Sequence, residues 1–323
     1  MTRFGLALSS EEHPPGDLVA NAVAAEAVGF DFLGISDHIH PWLETQGHSP
    51  FVWSVLGAIA ARTERVTLGT GVTCPILRQH PVLVAHAVAT VSLLADGRFF
   101  LGVGTGEALN EHVLGQRWPT PEVRLEMLEE AVDVIRDLLT GETVDRRGRH
   151  YTVENTRLFD PPIGPVPIIV SGFGSAAAEL AGRIGDGFWG HGADGELVEA
   201  YERAGGGGPR YAQVHCCWAR SADAARDTVA RVWPNAGVPG QLSQDLPTWT
   251  HFAQAASLVR PDDLVAQVPC GPDLVDALVE RVHTARAAGF DHVYFHQVGA
   301  DQAGFLDFWE QELRPALAPV VTG

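Results

Sequence analysis

Residues 24–38 read AAEAVGFDFLGISDH, and a similar arrangement returns near the other end of the chain as TARAAGFDHVYFHQV at residues 284–298. Each copy passes from the end of an alanine-rich helix to a glycine, then to Phe-Asp, and then into an apolar run. Glycine is common just after a helix end because it adopts the left-handed conformation that stops the helix. The repeated helix-to-strand joint predicts a chain built from units of a helix followed by a parallel strand.

Eight short apolar runs occur along the chain, each bounded by glycine or polar residues. They lie at residues 4–9, 30–38, 66–73, 98–106, 167–172, 186–191, 212–220 and 291–299. Most are separated by segments of helical periodicity that are rich in Ala, Leu, Val and Glu. Continuous apolar strands that alternate with amphipathic helices predict a parallel sheet buried on both faces, and eight such units predict a closed barrel. We therefore predict an α/β fold, a (β/α)8 TIM barrel formed as one domain by residues 1–323.

Two segments depart from the alternation of strand and helix. Residues 142–159 alternate in polarity across a turn and predict a hairpin before the fifth barrel strand. Residues 233–271 contain prolines and scattered aromatic residues and are too long for an ordinary connection. Because such insertions commonly carry binding residues, we predict a lid or a substrate wall there.

The composition argues against several classes of partner. The 323 residues carry a formal net charge of −18, which would repel nucleic acid and anionic membrane surfaces. The sequence contains no lysine, so arginine must supply every permanent side-chain cation. The four cysteines form no CxxC pair and show no metal-ligand spacing, which predicts a reduced, cytoplasmic protein without a metal site. No signal-like start or membrane-spanning apolar stretch is present, so we expect a dissolved protein that acts on a small molecule.

In a barrel of this kind the active site lies at the C-terminal ends of the strands. We therefore expect the residues that follow the predicted strands to converge at one mouth. They are Asp37, His38, Trp42, Gly71, Val72, Thr73, Cys74, Thr105, Gly106, Glu107, Asn110, Ser171, Gly172, His191, His296 and Gln297. Structural roles remain open for the two strongest candidates. A histidine at a strand end commonly makes structural hydrogen bonds, and Glu107 could complement the dipole of the helix that it enters.

Three motifs together resemble those of the luciferase-like oxidoreductases: ISDHIHPW (35–42), LGTGVTCP (68–75) and RFFLGVGTGEALNE (98–111). They are most similar to the branch that uses the deazaflavin coenzyme F420 and contains the glucose-6-phosphate dehydrogenases of actinobacteria. The resemblance extends from the first strand to the last helix. It implies a TIM barrel, a homodimer, and an enzyme that transfers a hydride between a carbinol carbon and the deazaflavin.

The resemblance also implies roles for individual residues. His38 would be the base that accepts the hydroxyl proton, with a pKa near its ordinary value of about 6.5. Glu107 would protonate the cofactor ring, Trp42 would wall the pocket, and a non-prolyl cis peptide would fall at Gly71-Val72. The positions matched to cofactor contacts are Asp37, Gly71, Val72, Cys74, Thr105, Gly106, Asn110, Ser171, Gly172, Gly174 and His191. The backbone around Gly172 and Gly174 leads into a helix and would suit a phosphate.

The sequence departs from the phosphosugar-oxidising relatives at the positions that bind the sugar phosphate. Those relatives use lysines and an arginine. The lysine positions are matched here by Asp194 and Gln254, and Arg260 is the cation that we expect to remain. Because an aspartate repels a dianionic phosphate at close range, glucose 6-phosphate is a poor candidate. A neutral alcohol, sugar or sugar derivative is predicted instead, in contact with Trp42, Asp194, Gln254 and Arg260.

Three alternatives stay open. The first is an FMN-dependent monooxygenase of the same barrel, and titration with FMN and with F420 separates it from the others. The second is an F420-dependent sugar-6-phosphate dehydrogenase with a rebuilt phosphate site. The third is a barrel that binds the deazaflavin without turnover. A screen of F420 reduction against phosphorylated and unphosphorylated alcohols distinguishes these last two.

Overall fold

The computed structural model describes residues 2–190 and 192–322, with side chains described as far as residue 318. Within these ranges, eight strands form a parallel barrel, and three short strands lie outside it. The strands are β1 (Arg3–Leu8), β2 (Phe32–Ile35), β3 (Thr67–Thr70), β4 (Phe99–Val103), β5 (Val144–Arg147), β6 (Thr152–Thr156), β7 (Ile168–Ser171), β8 (Gly187–Gly190), β9 (Arg210–Trp218), β10 (Cys270–Gly271) and β11 (His292–Gln297).

The barrel order is β9-β11-β1-β2-β3-β4-β7-β8, and pairing of β8 with β9 closes it. All of these pairs are parallel, and β10 adds to the edge of β9. Each of the eight apolar runs overlaps one barrel strand. The predicted (β/α)8 TIM barrel is therefore confirmed.

Helices surround the barrel and cover its outer face. They are α1 (Pro15–Ala27), α2 (Val52–Ala60), α3 (Pro81–Leu94), α4 (Ala108–Glu111), α5 (Pro121–Leu139), α6 (Ser175–Ile184), α7 (Gly195–Arg203), α8 (Ala222–Val232), α9 (Leu242–Asp245), α10 (Trp249–Ala256), α11 (Pro261–Gln267), α12 (Val275–Ala287), α13 (Gln302–Phe308) and α14 (Arg314–Thr322). Four of them begin at a proline, where a missing backbone N–H costs nothing. Across the described residues, none of the helices has the length and apolar character needed to cross a membrane.

The repeated joint of the sequence is also a repeated structure. Gly29 and Gly289 both have left-handed backbone conformations, with φ of 86° and 95°. In each copy the aspartate two residues later uses its carboxylate to accept a backbone N–H from a neighbouring strand. Asp31 accepts from Phe4 at 2.8 Å, and Asp291 accepts from Arg210 at 2.9 Å. The aspartates therefore tie the start of one strand to the start of the next.

The lower part of the barrel interior is filled by aromatic side chains. Phe32, Phe100, Trp189, Tyr211 and Tyr294 are all buried, and neighbouring ring centroids lie 4.6 to 6.4 Å apart. Successive residues of a strand point to opposite faces, so these aromatic residues belong to the inward-facing set. They make the lower barrel a solid core.

Two glycines make room for the largest of these rings. A Cβ on Gly34 would stand 2.9 Å from the Trp189 ring, and one on Gly71 would stand 2.7 Å from it. Both contacts are closer than carbon atoms approach without strain. The indole of Trp189 therefore fills the space that side chains on β2 and after β3 would otherwise occupy.

The two irregular segments lie outside the barrel wall. Strands β5 and β6 pair as an antiparallel hairpin within residues 142–159. Residues 233–271 form a 3-10 turn, Pro234–Gly237, followed by α9, α10, α11 and β10. Residues at the start of this second segment line the main cavity, so the segment forms part of the cavity wall.

Candidate active site

A cavity of 930 Å³ opens at the C-terminal ends of the barrel strands, with Trp189 and Tyr294 among its lining residues. Fourteen of the residues singled out from the sequence line it together. They are Asp37, His38, Trp42, Gly71, Val72, Cys74, Thr105, Gly106, Glu107, Asn110, Ser171, Gly172, Gly174 and His296. His191, also expected here, lies outside the described residues. A cavity of this size suits a ligand larger than a simple alcohol, such as a cofactor together with a substrate.

His38 lies between two carboxylates. Its Nδ1 is 2.7 Å from Oε1 of Glu11, and its Nε2 is 3.8 Å from Oε2 of Glu107. Glu11 is 2% exposed, whereas the Glu107 side chain is 24% exposed. The imidazole is therefore anchored on its buried side, and its other nitrogen faces the acid of the opposite loop.

The electrostatics of the pair fix its protonation. Burial alone lowers the pKa of His38, but the charge of Glu11 and the hydrogen bond to it outweigh burial and raise that pKa to about 9. Burial raises the pKa of Glu11, and His38 together with hydrogen bonds lowers it to about 2. Near neutral pH the pair is an imidazolium carboxylate. The expectation of an ordinary His38 pKa of about 6.5 is wrong, because the adjacent carboxylate of Glu11 raises that pKa.

Glu11 is held by hydroxyl groups of two barrel strand ends. Its Oε2 accepts from Ser36 at 2.7 Å and from Ser9 at 2.9 Å. The backbone of Ser10 in turn donates to the Ser36 hydroxyl at 3.0 Å. Because these hydrogen bonds fix Glu11 to the ends of the barrel strands, the orientation of His38 is set by the fold.

Trp42 forms an aromatic wall beside His38. The two rings meet edge to face with centroids 5.1 Å apart, and Phe252 of α10 also packs edge to face on Trp42, with centroids 4.9 Å apart. Trp42, predicted from the sequence to form a wall of the pocket, is therefore in contact with the 233–271 segment through Phe252. His40, which stands between them in the motif, directs its Nδ1 to the Leu109 carbonyl at 3.2 Å instead.

Asp37 is buried and fully engaged by protein groups. Its carboxylate accepts from Thr73 at 2.7 Å, from Gln79 at 2.6 Å and from Arg78 at 3.0 Å. Arg78 also lies 3.5 Å from Glu111, whose pKa burial raises to about 7. Asp37 therefore joins the loops after β2 and β3, and a direct cofactor contact of its carboxylate remains a prediction.

Several backbone features around the cavity are suited to a flat ring and a phosphate. The peptide Gly71-Val72 is cis, as the resemblance implied. Asn110 accepts backbone N–H groups of Ile39 and His40 at its Oδ1, while its buried Nδ2 has no hydrogen-bond partner among the described residues. Helix α6 begins at Ser175 without a side-chain cap from Gly174. The first-turn N–H groups of such a helix favour an anion.

Three residues expected to contact the substrate lie elsewhere. Asp194 is exposed and caps α7 by accepting from Glu196 at 3.0 Å. Gln254 is exposed on α10, and Arg260 is 78% exposed and paired with Asp263 at 3.0 Å. None of the three lines the cavity. Their positions follow from helix capping and from the polar faces of short helices, which sequence matching across an irregular segment does not reveal.

Three charged residues that line the main cavity or a neighbouring one were not predicted from the sequence. Glu11 lines the main cavity and follows β1 in the run Ser-Ser-Glu-Glu, and its position just after a strand is the one signal that could have identified it. Arg124 of α5 is 1% exposed, lines the cavity and donates to Gln244 at 2.8 Å. Arg281 lines a smaller neighbouring cavity of 250 Å³ and donates to the Ala266 carbonyl at 2.6 Å.

The comparisons with known proteins agree with one another. The model of the luciferase-like monooxygenase family matches residues 1–295. The F420-dependent glucose-6-phosphate dehydrogenase of Segniliparus rotundus is 34% identical, and that of Beutenbergia cavernae is 37% identical, each over 98% of both chains. The chain is therefore similar to these enzymes along almost its full length.

Solved structures show the same architecture. An F420-dependent secondary alcohol dehydrogenase in complex with an F420-acetone adduct superposes with a TM-score of 0.89 at 28% identity, covering 98% of this chain and 99% of that one. The coenzyme F420 dependent tetrahydromethanopterin reductase of Methanopyrus kandleri has a TM-score of 0.77 at 21% identity, covering 97% and 99%. At that lower identity the likeness concerns the fold alone.

Proposed function

Since the chain belongs to the luciferase-like monooxygenase family, we propose that it is an F420-dependent oxidoreductase that acts on CH–OH groups. The observation that carries this proposal is the Glu11–His38 ion pair, which faces Glu107 within the large cavity at the barrel mouth. A positioned imidazole can exchange a proton with a carbinol or carbonyl oxygen. When bound, the deazaflavin supplies a ring carbon that accepts or returns a hydride.

The residues of the cavity fit this cofactor. The unpaired Nδ2 of Asn110 is a buried donor that a ring carbonyl would satisfy. Val72 lines the cavity beside the glycines at 71 and 104, where a flat ring could approach the backbone closely. The N-terminus of α6, with Gly172, Gly174 and Ser175 on the cavity, would hold a phosphate.

The chain's own acids and bases divide the proton chemistry. His38 exchanges the proton of the substrate oxygen through Nε2, since Nδ1 is held by Glu11. Glu107 is the second carboxyl group close to Nε2 of His38. It would exchange a proton with the deazaflavin ring when the cofactor is bound. Trp42 and Phe252 keep bulk water away from the imidazole.

We expect the purified protein to bind F420 at micromolar concentration or below and to bind FMN much more weakly. Fluorescence titration with each cofactor measures this. Asn110→Asp keeps the Oδ1 that accepts from Ile39 and His40 but loses the Nδ2 donor, so F420 binding should weaken about tenfold or more. Asn155→Asp, in the outer hairpin, is the control. Tight FMN binding without F420 binding would establish the monooxygenase alternative instead.

The charge of the cavity favours a neutral substrate. Its lining residues in the described part of the chain include four carboxylic acids, Glu11, Asp37, Glu107 and Glu111, and two cationic side chains, His38 and Arg124. His38 is already paired with Glu11, and Arg124 already donates to Gln244 and to the Pro119 carbonyl. A dianionic phosphate placed among these carboxylates would lose more by repulsion than these two engaged cations offset.

We expect unphosphorylated secondary alcohols or sugars to give kcat/KM values at least about tenfold above that of glucose 6-phosphate. The measurement is the decrease of F420 absorbance against matched phosphorylated and unphosphorylated substrates. A second candidate, a sugar-phosphate dehydrogenase, is favoured by one observation, which is Arg281 in the adjoining cavity. Preference for glucose 6-phosphate that is lost in Arg281→Ala would favour that candidate.

We also propose that the protein is a cytoplasmic homodimer. All four cysteines are free thiols, as expected in a reducing compartment. Leu83 and Leu94 are 63% and 53% exposed and lie eleven residues, or about three turns, apart on the same face of α3. Light scattering after size-exclusion chromatography should give about twice the 34.6 kDa chain mass. A monomer at micromolar concentration would refute the dimer.

A further inference from the structure

One largely buried arginine ties together the two loops that carry His38 and Glu107. Nη2 of Arg78 donates to the Asp37 carbonyl at 2.9 Å and to Oδ1 of the same residue at 3.0 Å. The backbone N–H of Arg78 donates to Oε2 of Glu111 at 2.8 Å, and its Nε lies 3.5 Å from Oε1 of Glu111. The Arg78 side chain is 9% exposed and does not line the cavity. Arg78 therefore acts on the site only through its neighbours.

These contacts hold the peptide groups on both sides of His38. The Asp37 carbonyl belongs to the peptide that precedes His38, and it accepts from Arg78. The N–H of the following peptide donates to Oδ1 of Asn110 at 2.9 Å. Asn110 is adjacent on α4 to Glu111, the residue that Arg78 contacts. His38 is therefore fixed to α4 through both of its flanking peptides.

The same short helix has Glu107 at its N-cap. The Glu107 carbonyl accepts the backbone N–H groups of Asn110 and Glu111, both at 3.1 Å. The preceding residue, Gly106, has a φ of 68°, and a Cβ there would stand 3.1 Å from Cγ of Glu111. The loop that carries Glu107 is thus packed directly on the residue that Arg78 contacts. A shift of Glu111 would therefore move Glu107.

We propose that Arg78 is a positioning residue for the reaction, which sets the approach of Glu107 to Nε2 of His38. This inference rests on the proposed function, in which His38 and Glu107 divide the proton chemistry. The separation of 3.8 Å between these two groups depends on the loops of Asp37 and Glu111, and Arg78 bridges the carboxylates of both. A guanidinium suits this task because its planar fork presents several donors in fixed directions.

A second arginine supplies a structural comparison. Arg98 precedes β4 and donates to the Val66 carbonyl at 2.6 Å and to the Thr63 carbonyl at 2.8 Å. It joins the segments before β3 and β4, at the end of the barrel opposite the site, and does not line the cavity. Loss of either arginine should lower the free energy of unfolding. Only loss of Arg78 should change how strongly the two catalytic groups influence one another.

The first test needs no cofactor. Burial lowers the pKa of His38, whereas Glu11 and then Glu107 raise it, so Glu107→Gln should lower that pKa. Titration of the ¹⁵N resonances of His38, assigned by their loss in His38→Gln, measures the change. In Arg78→Gln and in Arg78→Lys, the same Glu107→Gln substitution should change the pKa by about half as much or less. In Arg98→Gln it should have its full effect.

The lysine variant keeps the buried charge, but its single ammonium group does not replace the fork of donors. Arg78→Lys therefore decides the test if Arg78→Gln does not fold. A full effect of Glu107→Gln on the His38 pKa in the folded Arg78 variants would overturn the proposal.

The second test uses F420 and a neutral secondary alcohol. Arg78→Gln should lower the single-turnover rate of hydride transfer about tenfold to a hundredfold, because small misplacements of reacting groups are costly. In a Glu107→Gln background the same change should cost less than about threefold, because Arg78 then has no Glu107 carboxylate to position. Equal losses in the two backgrounds would show that Arg78 supports only the fold. If the alcohols do not reduce F420, the proposed function fails, and the pKa measurements still decide the role of Arg78.

Discussion

His38→Gln is expected to lower the rate of hydride transfer about 10²- to 10⁴-fold, the range by which a positioned acid or base accelerates proton transfer. Glutamine keeps a hydrogen-bonding group of similar reach but does not exchange a proton at any working pH. Stopped-flow measurement of a single turnover of F420 with a neutral secondary alcohol isolates the chemical step from product release. Binding of F420 should change little, because the residues proposed to hold it remain.

The matched control is His40→Gln, two residues further along the same loop. The His40 ring contacts Trp249 and the Leu109 carbonyl and does not line the cavity. Its rate should stay within about threefold of wild type, because these contacts lie outside the cavity and do not touch the reacting groups. A rate for His38→Gln as high as that of His40→Gln would remove His38 from the chemistry and leave Glu107 as the candidate base.

Glu11→Gln is expected to move the pH profile of the reaction by about two units or more towards acid. With Glu11 present, the His38 pKa of about 9 means that the neutral imidazole needed for alcohol oxidation accumulates only as the pH rises towards 9. The imidazolium needed for carbonyl reduction is present below 9 and lost above it. In the variant His38 is still buried but no longer has the negative charge of Glu11 beside it, so its pKa falls. The pH dependences of alcohol oxidation and of carbonyl reduction should therefore shift together.

Initial rates in both directions between pH 5 and 10 measure this shift. Asp37→Asn is not a suitable control because it disturbs the loops, so we would use Glu122→Gln, an exposed first-turn residue of α5. An unchanged profile in Glu11→Gln would show that another group controls the observed ionisation.

The raised His38 pKa also bears on the direction of the reaction. At neutral pH the wild-type His38 is an imidazolium, which can donate a proton in carbonyl reduction but cannot accept one in alcohol oxidation.

The same pair sets a pH window for stability. His38, whose pKa is raised from 6.5 to about 9, stabilises the fold fully below 6.5 and loses this contribution as the pH rises through 9. Glu11, whose pKa is lowered from 4.5 to about 2, contributes fully above 4.5 and loses its contribution as the pH falls through 2. The unfolding free energy of wild type minus that of Glu11→Gln should therefore be largest between pH 4.5 and 6.5.

Much of the fold follows from local sequence. The strands were predictable because a parallel barrel strand is apolar on both faces, and the helix ends were marked by glycines such as Gly29 and Gly289, which adopt positive φ. The residues after each strand were also predictable, since parallel strands bring their ends to one side. Asp37, His38 and Glu107 were identified in this way.

The partners of those residues were not predictable from local sequence. The ionisation of His38 depends on Glu11, which is 27 positions earlier and adjacent only because β1 and β2 pair. The outward position of Arg260, paired with Asp263, was not predictable because sequence matching through short helices gives no direction for a side chain. The resemblance to known motifs identified the positions of the candidate site residues. The side-chain contacts that decide their protonation are formed only when the barrel strands pack together.

Trp189 has a consequence for redesign of the pocket. Because Gly34 and Gly71 leave their space to this indole, the cavity wall at Trp189 is formed by a side chain and not by the backbone of the barrel. We expect a smaller residue in place of the tryptophan to enlarge the cavity at this position. A single substitution at Trp189 could therefore change the size of the molecules that the cavity admits.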